Sequence, residues 1–257
     1  MRVEYAGLTN VGMKRTHNED NLLVVAEEDL YMVADGMGGH ASGEVASKLA
    51  VETIADFFSK TAKDAELTWP FKMEKSRKYE ENRLVTGVKL ANLKIYETAS
   101  SNAKYKGMGT TIVAVLFSGD ETFIGHVGDS RVYRIRDRKL EQMTEDHSLL
   151  NDYKKMAKLT PEEEKNFPHK NIIVRALGMK ETVQVDICNE RPQPGDVFLL
   201  CSDGLSGEVP DEDILRIVNE NIESLDAAAQ ALIQTACDNG GKDNVTALLV
   251  RVVDVPS

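Results

Sequence analysis

Leu30-Tyr31-Met32-Val33-Ala34-Asp35-Gly36-Met37-Gly38-Gly39-His40 is the stretch on which the rest of this chain depends. Its first five residues are apolar and are bounded by Glu27-Glu28-Asp29 and by Asp35-Gly36, so they read as a buried strand. Ala41 to Lys60 then reads as an amphipathic helix, with Ala46, Leu49, Ala50, Thr53, Ile54 and Phe57 on one face. A carboxylate thus stands at a strand end, with glycine at three of the next four positions. Glycine tolerates φ > 0 and lets main chain approach a ligand closely. The helix N-terminus directs amides and a positive dipole into the same corner. Such a corner suits a metal ion and a phosphate. Taken alone, it reads equally well as a tight turn in which Asp35 is solvated or caps the helix.

Working toward the N-terminus, Asn21 to Ala26 has strand character and Glu27-Glu28-Asp29 makes a hairpin turn. The polar run Arg15-Thr16-His17-Asn18-Glu19-Asp20 precedes that strand, and a first strand spans Val3 to Leu8. Glu19 and Asp20 therefore stand at one end of a hairpin strand, with Asp35 at the end of its antiparallel partner, so one sheet edge brings the carboxylates together.

Working toward the C-terminus, 61–75 loses helical period and contains Pro70, which predicts a loop anchored by Trp69 and Phe71. Leu84, Val88, Ala91, Ile95 and Ala99 mark a second long helix. Strands are expected at 112–117, 122–127, 132–136, 183–188, 197–201 and 245–253, most of them joined by short polar turns, which points to antiparallel sheet. The span 144–175 is charged, carries Pro161 and Pro168, and reads as a surface excursion with one or two short helices. Pro210 opens a short helix, and Ser224 caps another with stripe Leu225, Ala229, Leu232 and Ala236. No repeat or linker interrupts the chain, so a single domain over 1–257 is expected.

Among the 257 residues, 42% are hydrophobic and 28% charged, as in soluble globular proteins. A net charge of −11 argues against a nucleic-acid surface and against a polybasic membrane patch. Cys188, Cys201 and Cys237 form no CxxC pair, which favours a reducing compartment and no zinc site. Cys201 ends the run Val197-Phe198-Leu199-Leu200 and reads as a small core residue. The N-terminal residues lack the apolar region of a signal peptide, and no apolar run reaches membrane-spanning length. The expectation is a cytoplasmic protein with neither nucleic acid nor membrane as partner.

Asp20 (with Glu19), Asp35, Asp129, Asp203 and Asp243 share one description: each stands where an apolar strand meets a glycine-containing or polar turn. Any one alone is more often a turn residue. Converging together, they would repel one another unless cations sat between them. Hard oxygen ligands suit Mg²⁺ or Mn²⁺, and two such ions form a standard hydrolytic centre. Arg15, four residues before Glu19, is the natural phosphate fork, with a surface salt bridge as the alternative.

Seven motifs then carry a resemblance: Arg15-x-x-Asn18-Glu19-Asp20, Asp35-Gly36-Met37-Gly38-Gly39, Gly109-Thr110-Thr111, Gly128-Asp129-Ser130-Arg131, Asp146-His147-Ser148, Ser202-Asp203-Gly204-Leu205 and Asp243-Asn244-Val245-Thr246. In content and order the chain resembles the metal-dependent protein phosphatases, the bacterial type 2C serine/threonine class. The resemblance implies an α+β fold, a four-layer αββα sandwich of two antiparallel sheets flanked by helix pairs. It also implies a flap at about 148–175 over a cleft at one end. Two core Mn²⁺ or Mg²⁺ ions and a weaker third are implied. Asp35 would bridge the core ions and Gly36 would offer its carbonyl. Asp203 and Asp243 would hold the first ion, and Glu19 or Asp20 the second. Asp129 with Asp203 would take the third. Arg15 would grip the phosphate, and a bridging water would attack in line without a phosphoenzyme. Met37 stands where the animal enzymes carry a histidine, so the leaving oxygen would take its proton from metal-bound water, or from His40 or His17. Phosphorylated proteins are the implied substrates, a serine/threonine kinase the implied cognate partner, and a monomer the implied state. Two rivals remain: a phosphopeptide-binding pseudophosphatase and a metal-dependent phosphodiesterase.

Overall fold

The computed structural model describes residues 1–38, 42–64, 67–157, 159–165, 167–168 and 172–256. Two antiparallel sheets pack face to face. One runs β1(Arg2–Asn10), β11(Val245–Asp254), β10(Val197–Cys201), β7(Arg131–Arg136) and β8(Lys139–Gln142), in that spatial order. The other runs β2(Asp20–Val25), β3(Leu30–Met37), β5(Ile112–Ser118), β6(Glu121–Val127) and β9(Asp186–Glu190), with short β4(Gly109–Thr110) paired to the end of β3. Helices α1(Ser42–Lys63) and α2(Tyr79–Ser101) pack on the second sheet, and α6(Asp211–Glu220) and α7(Leu225–Asp238) on the first. Short helices α3(Leu149–Met156) and α4(Pro161–Lys165) lie in the excursion, and α5(Asp203–Ser206) follows β10 directly. The expected αββα sandwich is present.

The apolar runs of the sequence are explained by burial on both faces. In β3, Leu30, Met32 and Ala34 pack under α1 and α2, while Tyr31 and Val33 pack between the sheets. In β10, Val197, Leu199 and Cys201 face α6 and α7, while Phe198 and Leu200 face the other sheet. Strand side chains alternate faces, so a strand buried on both sides is apolar at every position. Each fully buried residue such as Phe58 or Leu84 contributes roughly 1.5–3 kcal/mol. Cys201 is a core residue, as expected, and burial pushes its thiol up to about 12.

Several elements differ from the sequence reading. β3 runs on to Met37 because Gly36 and Met37 pair with β4, whose two residues are too few to show a period. β8, Lys-Leu-Glu-Gln, lies at an exposed edge and has no apolar pattern. The strand expected at 183–188 forms at Asp186–Glu190 instead. The segment before it is tied to α2, because Asn92 Nδ2 donates to the carbonyls of Lys180 and Glu181 while Gly178 N donates to Asn92 Oδ1. α1 continues to Lys63 before the expected loop, which Trp69 anchors edge-on against Phe57 at 5.5 Å. Ser224 Oγ accepts from Ala227 N and caps α7 as predicted.

Candidate metal centre

Asp20 and Asp35 face each other across the end of the β2–β3 hairpin, as direct cross-strand partners. The other sheet reaches the same point. Ser202 Oγ, just after β10, and Thr246 Oγ1, in β11, donate to Asp20 Oδ2 at 2.8 and 2.6 Å. Asp203 opens α5 and Asp243 precedes β11, so all four acids cluster at one end of the sandwich. Asp129 sits in the turn between β6 and β7, close enough to Asp35 and Asp203 to repel both their charges.

Asp35 is held by its main chain. Its N–H donates to Thr111 Oγ1 at 3.0 Å, and its carbonyl accepts from Thr111 N and Thr110 Oγ1 at 2.9 and 2.8 Å. Thr111 Oγ1 also bonds Ser130 Oγ at 2.7 Å, which joins the Gly109-Thr110-Thr111 and Gly128-Asp129-Ser130-Arg131 motifs. These bonds fix the Asp35 backbone and use none of its carboxylate oxygens.

The glycines act mainly by close approach. A Cβ on Gly36 would lie 2.2 Å from Gly43 O and 2.5 Å from Glu19 O, where α1 crosses β3. A Cβ on Gly204 would lie 1.9 Å from Asn244 O. Neither needs a left-handed backbone. The corner at the start of α1 is also partly filled from within: Glu19 Oε1 accepts from Gly43 N at 3.1 Å. This places Glu19 as the anion at that helix start, while Asp20 Oδ1 has no hydrogen-bond partner. Asp129 Oδ1 is likewise buried without a partner.

Electrostatics sharpen the picture. Burial is the largest cause lifting the Asp35 carboxyl well above the usual carboxylate range, followed by the charges of Asp20, Asp203, Asp129 and Asp243. Asp20 is pushed up to about 7 by burial, against the lowering effect of Thr246 and Ser202 and with repulsion from Asp203 and Asp243. Asp129 also rises to about 7, from burial and then the charges of Asp203 and Asp146. Asp203 is raised by burial and by Asp243, and Asp35 lies within hydrogen-bond reach of it. Orphaned carboxylate oxygens in a cluster that cannot ionise fully unaided are what a site for hard divalent cations requires.

Arg15 Nη2 donates to Asp243 Oδ2 at 2.6 Å, with half of its side chain exposed. Arg15 is therefore at the cleft, engaged with one of the acids, and a guanidinium has further N–H donors. Met37 is half-buried in β3 and His17 is exposed, while Gly39 and His40 lie outside the described residues. A cleft of about 600 Å³ opens from Asp129, Asp203 and Asp243 toward Ser148, Leu150 and Glu164 of the excursion.

Several supporting residues had no assigned role in the sequence reading. Asn244 accepts from Glu19 N at 2.8 Å and donates to the carbonyls of Val11 and His17, fastening the Arg15–Asp20 segment to β11. Arg131 clamps Asp146 through Nε and Nη2 and donates from Nη1 to Tyr133 Oη. Thr110, Thr111, Ser202 and Thr246 are almost fully buried hydroxyls at the ends of apolar strands, and that incongruity was their available signal.

A family model described as Protein phosphatase 2C matches residues 13–249. The chain is 39% identical over 251 residues to the serine/threonine phosphatase stp of Listeria welshimeri, covering 95% of this chain and 93% of that one. The structure superposes on Stp1, a serine/threonine phosphatase from Staphylococcus aureus, with TM-score 0.86 and 36% identity, covering 99% and 96% of the two chains. It superposes on the catalytic domain of the serine/threonine protein phosphatase PstP, in complex with two manganese ions, with TM-score 0.82 and 35% identity, covering 98% and 99%.

Proposed function

The chain belongs to the protein phosphatase 2C family of serine/threonine phosphatases, and on that premise we propose that it hydrolyses phosphoserine and phosphothreonine on proteins, using divalent metal and forming no phosphoenzyme. The observation that carries the reading is Asp35, a carboxylate fixed by its main chain and surrounded by Asp20, Asp129, Asp203 and Asp243. The donor set is all oxygen, as Mn²⁺ or Mg²⁺ prefers, and the similar PstP domain holds two manganese ions.

Asp35 would serve both core ions and Gly36 would add its carbonyl. Asp203 and Asp243 would complete the first position, and Asp20, assisted by Glu19, the second. Asp129 with Asp203 would take a weaker third ion. Ions bound there supply an activated water and offset the charge of the phosphoryl oxygens. The chain's own contributions are positional. Ser202 and Thr246 both donate to Asp20 Oδ2, which fixes that carboxylate and leaves Oδ1 without a partner. Arg15, anchored on Asp243, presents its remaining N–H groups to a phosphate in the ground state and the transition state. Met37 carries no titratable group, so the leaving oxygen would take its proton from cleft water, or from His40 or His17. The excursion bordering the cleft would influence which protein substrates enter. Among the described residues no helix is long and apolar enough to cross a membrane. We place the protein in the cytoplasm as a single-domain monomer acting on phosphoproteins, with a serine/threonine kinase as its opposing partner.

Hydrolysis of a phosphothreonine peptide set against a phosphodiester, both with Mn²⁺, tests the substrate class. Preference for the diester would overturn it.

A further inference from the structure

Outside the acid cluster, the described residues bring one other group of metal-type side chains together: His126, His147 and Asp186, whose ligand atoms lie within 4.8 Å of one another. Their hydrogen bonds speak against a metal. A backbone N–H can only donate, so Gly128 N, 3.0 Å from His147 Nδ1, requires that nitrogen to be unprotonated. The proton of the neutral ring is then on Nε2, which donates to Asp186 Oδ2 at 3.2 Å. His126 Nε2 faces the carbonyl of Glu145 at 2.9 Å, so it too carries a proton. The two rings stack at 4.7 Å and 17°, and lone pairs in near-parallel planes do not converge on one ion.

The same bonds describe a strut. His147 is almost fully buried, and its main chain works alongside its ring. His147 N donates to Gly128 O at 2.9 Å, and its carbonyl accepts from Val174 N at 2.9 Å. The neighbouring Ser148 and Ile173 form an antiparallel bridge, and Leu149 N donates to Ile172 O. Asp186, held by the His147 ring, also accepts from Arg175 Nη1 at 2.7 Å. One side of His147 therefore grips the turn residue that precedes Asp129. The other side grips both ends of the excursion. Gly128 itself adopts φ +113°, a conformation that few side chains could share, and Thr111 lies 2.6 Å from where its Cβ would be.

We propose that His147 is a two-ended positioning residue: Nδ1 sets the Gly128–Asp129 turn, and Nε2, through Asp186, sets the excursion. The catalytic consequence rests on the reading of Asp129 given above. The structural consequence does not.

Two amide substitutions separate the ends. The short amide of His147→Asn places its oxygen near the position of Nδ1, so it still accepts from Gly128 but cannot reach Asp186. The long amide of His147→Gln still donates to Asp186 but loses the acceptor for Gly128. Asp186→Ala, at a half-exposed position, cuts the outer end without touching the core and serves if either His147 variant fails to fold. Readouts are hydrogen exchange of the Gly128 amide, tryptic cleavage of the excursion at Lys154 and Lys155, and turnover of p-nitrophenyl phosphate and of a phosphoprotein with Mn²⁺. One buried hydrogen bond corresponds to about tenfold in each opening equilibrium. His147→Asn and Asp186→Ala are expected to speed excursion cleavage about tenfold and to raise KM for the phosphoprotein, with Gly128 exchange and kcat on p-nitrophenyl phosphate within about twofold of wild type. His147→Gln should speed Gly128 exchange about tenfold and lower kcat on both substrates, with cleavage unchanged. Equal losses at both ends from both His147 variants, or unaltered cleavage in Asp186→Ala, would overturn the proposal. If exchange and cleavage divide as expected while kcat does not follow, the strut stands and the role given to Asp129 falls.

Discussion

Replacing Asp129 by Asn should stabilise the metal-free protein at alkaline pH and not at acid pH. Asp129 is 7% exposed, its Oδ1 has no partner, and its carboxyl is lifted from 3.8 to about 7 by burial and by Asp203 and Asp146. A group raised in the folded state holds its proton where the unfolded chain has lost it. Its favourable contribution is therefore fully present below about pH 4 and disappears as pH rises toward about 7. Above that, keeping the buried carboxylate ionised costs about 4 kcal/mol by the size of the displacement. Asn keeps the shape and removes the charge. At pH 8 in EDTA the variant should gain roughly 2–4 kcal/mol, since neighbouring acids share the repulsion. For a chain of this size that is on the order of 5–15 °C in Tm. At pH 4.5 the gain should fall below about 1 kcal/mol, and saturating Mn²⁺ should remove the advantage at pH 8. Thermal unfolding by calorimetry at both pH values, with and without Mn²⁺, measures all of this. An Asn variant no more stable than wild type at pH 8, or equally stabilised at both pH values, would refute the electrostatic reasoning.

Other outcomes follow from the same geometry. Arg15→Ala should raise KM for a phosphopeptide and lower kcat/KM by about 10- to 100-fold, the worth of a charge-assisted hydrogen bond; an unchanged kcat/KM would leave Arg15 as a partner of Asp243 only. Asp35→Asn should abolish turnover and weaken Mn²⁺ binding together, read by calorimetric titration, and loss of one without the other would contradict its shared role. Shortening the excursion between Ser148 and Arg175 should alter preference among protein substrates far more than hydrolysis of p-nitrophenyl phosphate; equal losses would make it a support of the fold.

The acid cluster was legible because each carboxylate interrupts an apolar run, and the hairpin logic that paired Asp20 with Asp35 holds as a direct register. The doubly buried strands were legible as continuous hydrophobic runs for the same reason. What the sequence concealed depends on long-range partners. β4 has two residues and exists only because β3 offers it an edge. Val183 and Val185 alternate like a strand, yet Asn92, far earlier in the chain, captures the neighbouring backbone for α2. Glu19 stands beside Asp20 in the sequence, but that its Oε1 also accepts from Gly43 depends on where α1 begins. Gly36 looked like a turn glycine and is instead the crossing point of two backbones. His147 stood in a recognised motif, but its partners Gly128, Val174 and Asp186 are set by the fold alone.

On the proposed reading, the converging carboxylates form a metal-dependent hydrolytic centre. Its most direct test is turnover of a phosphothreonine peptide by EDTA-stripped protein titrated with Mn²⁺. The expected curve starts at background and rises with occupancy of at least two sites per chain, counted by calorimetry on the same sample. Full turnover in protein shown to be metal-free would contradict the claim outright.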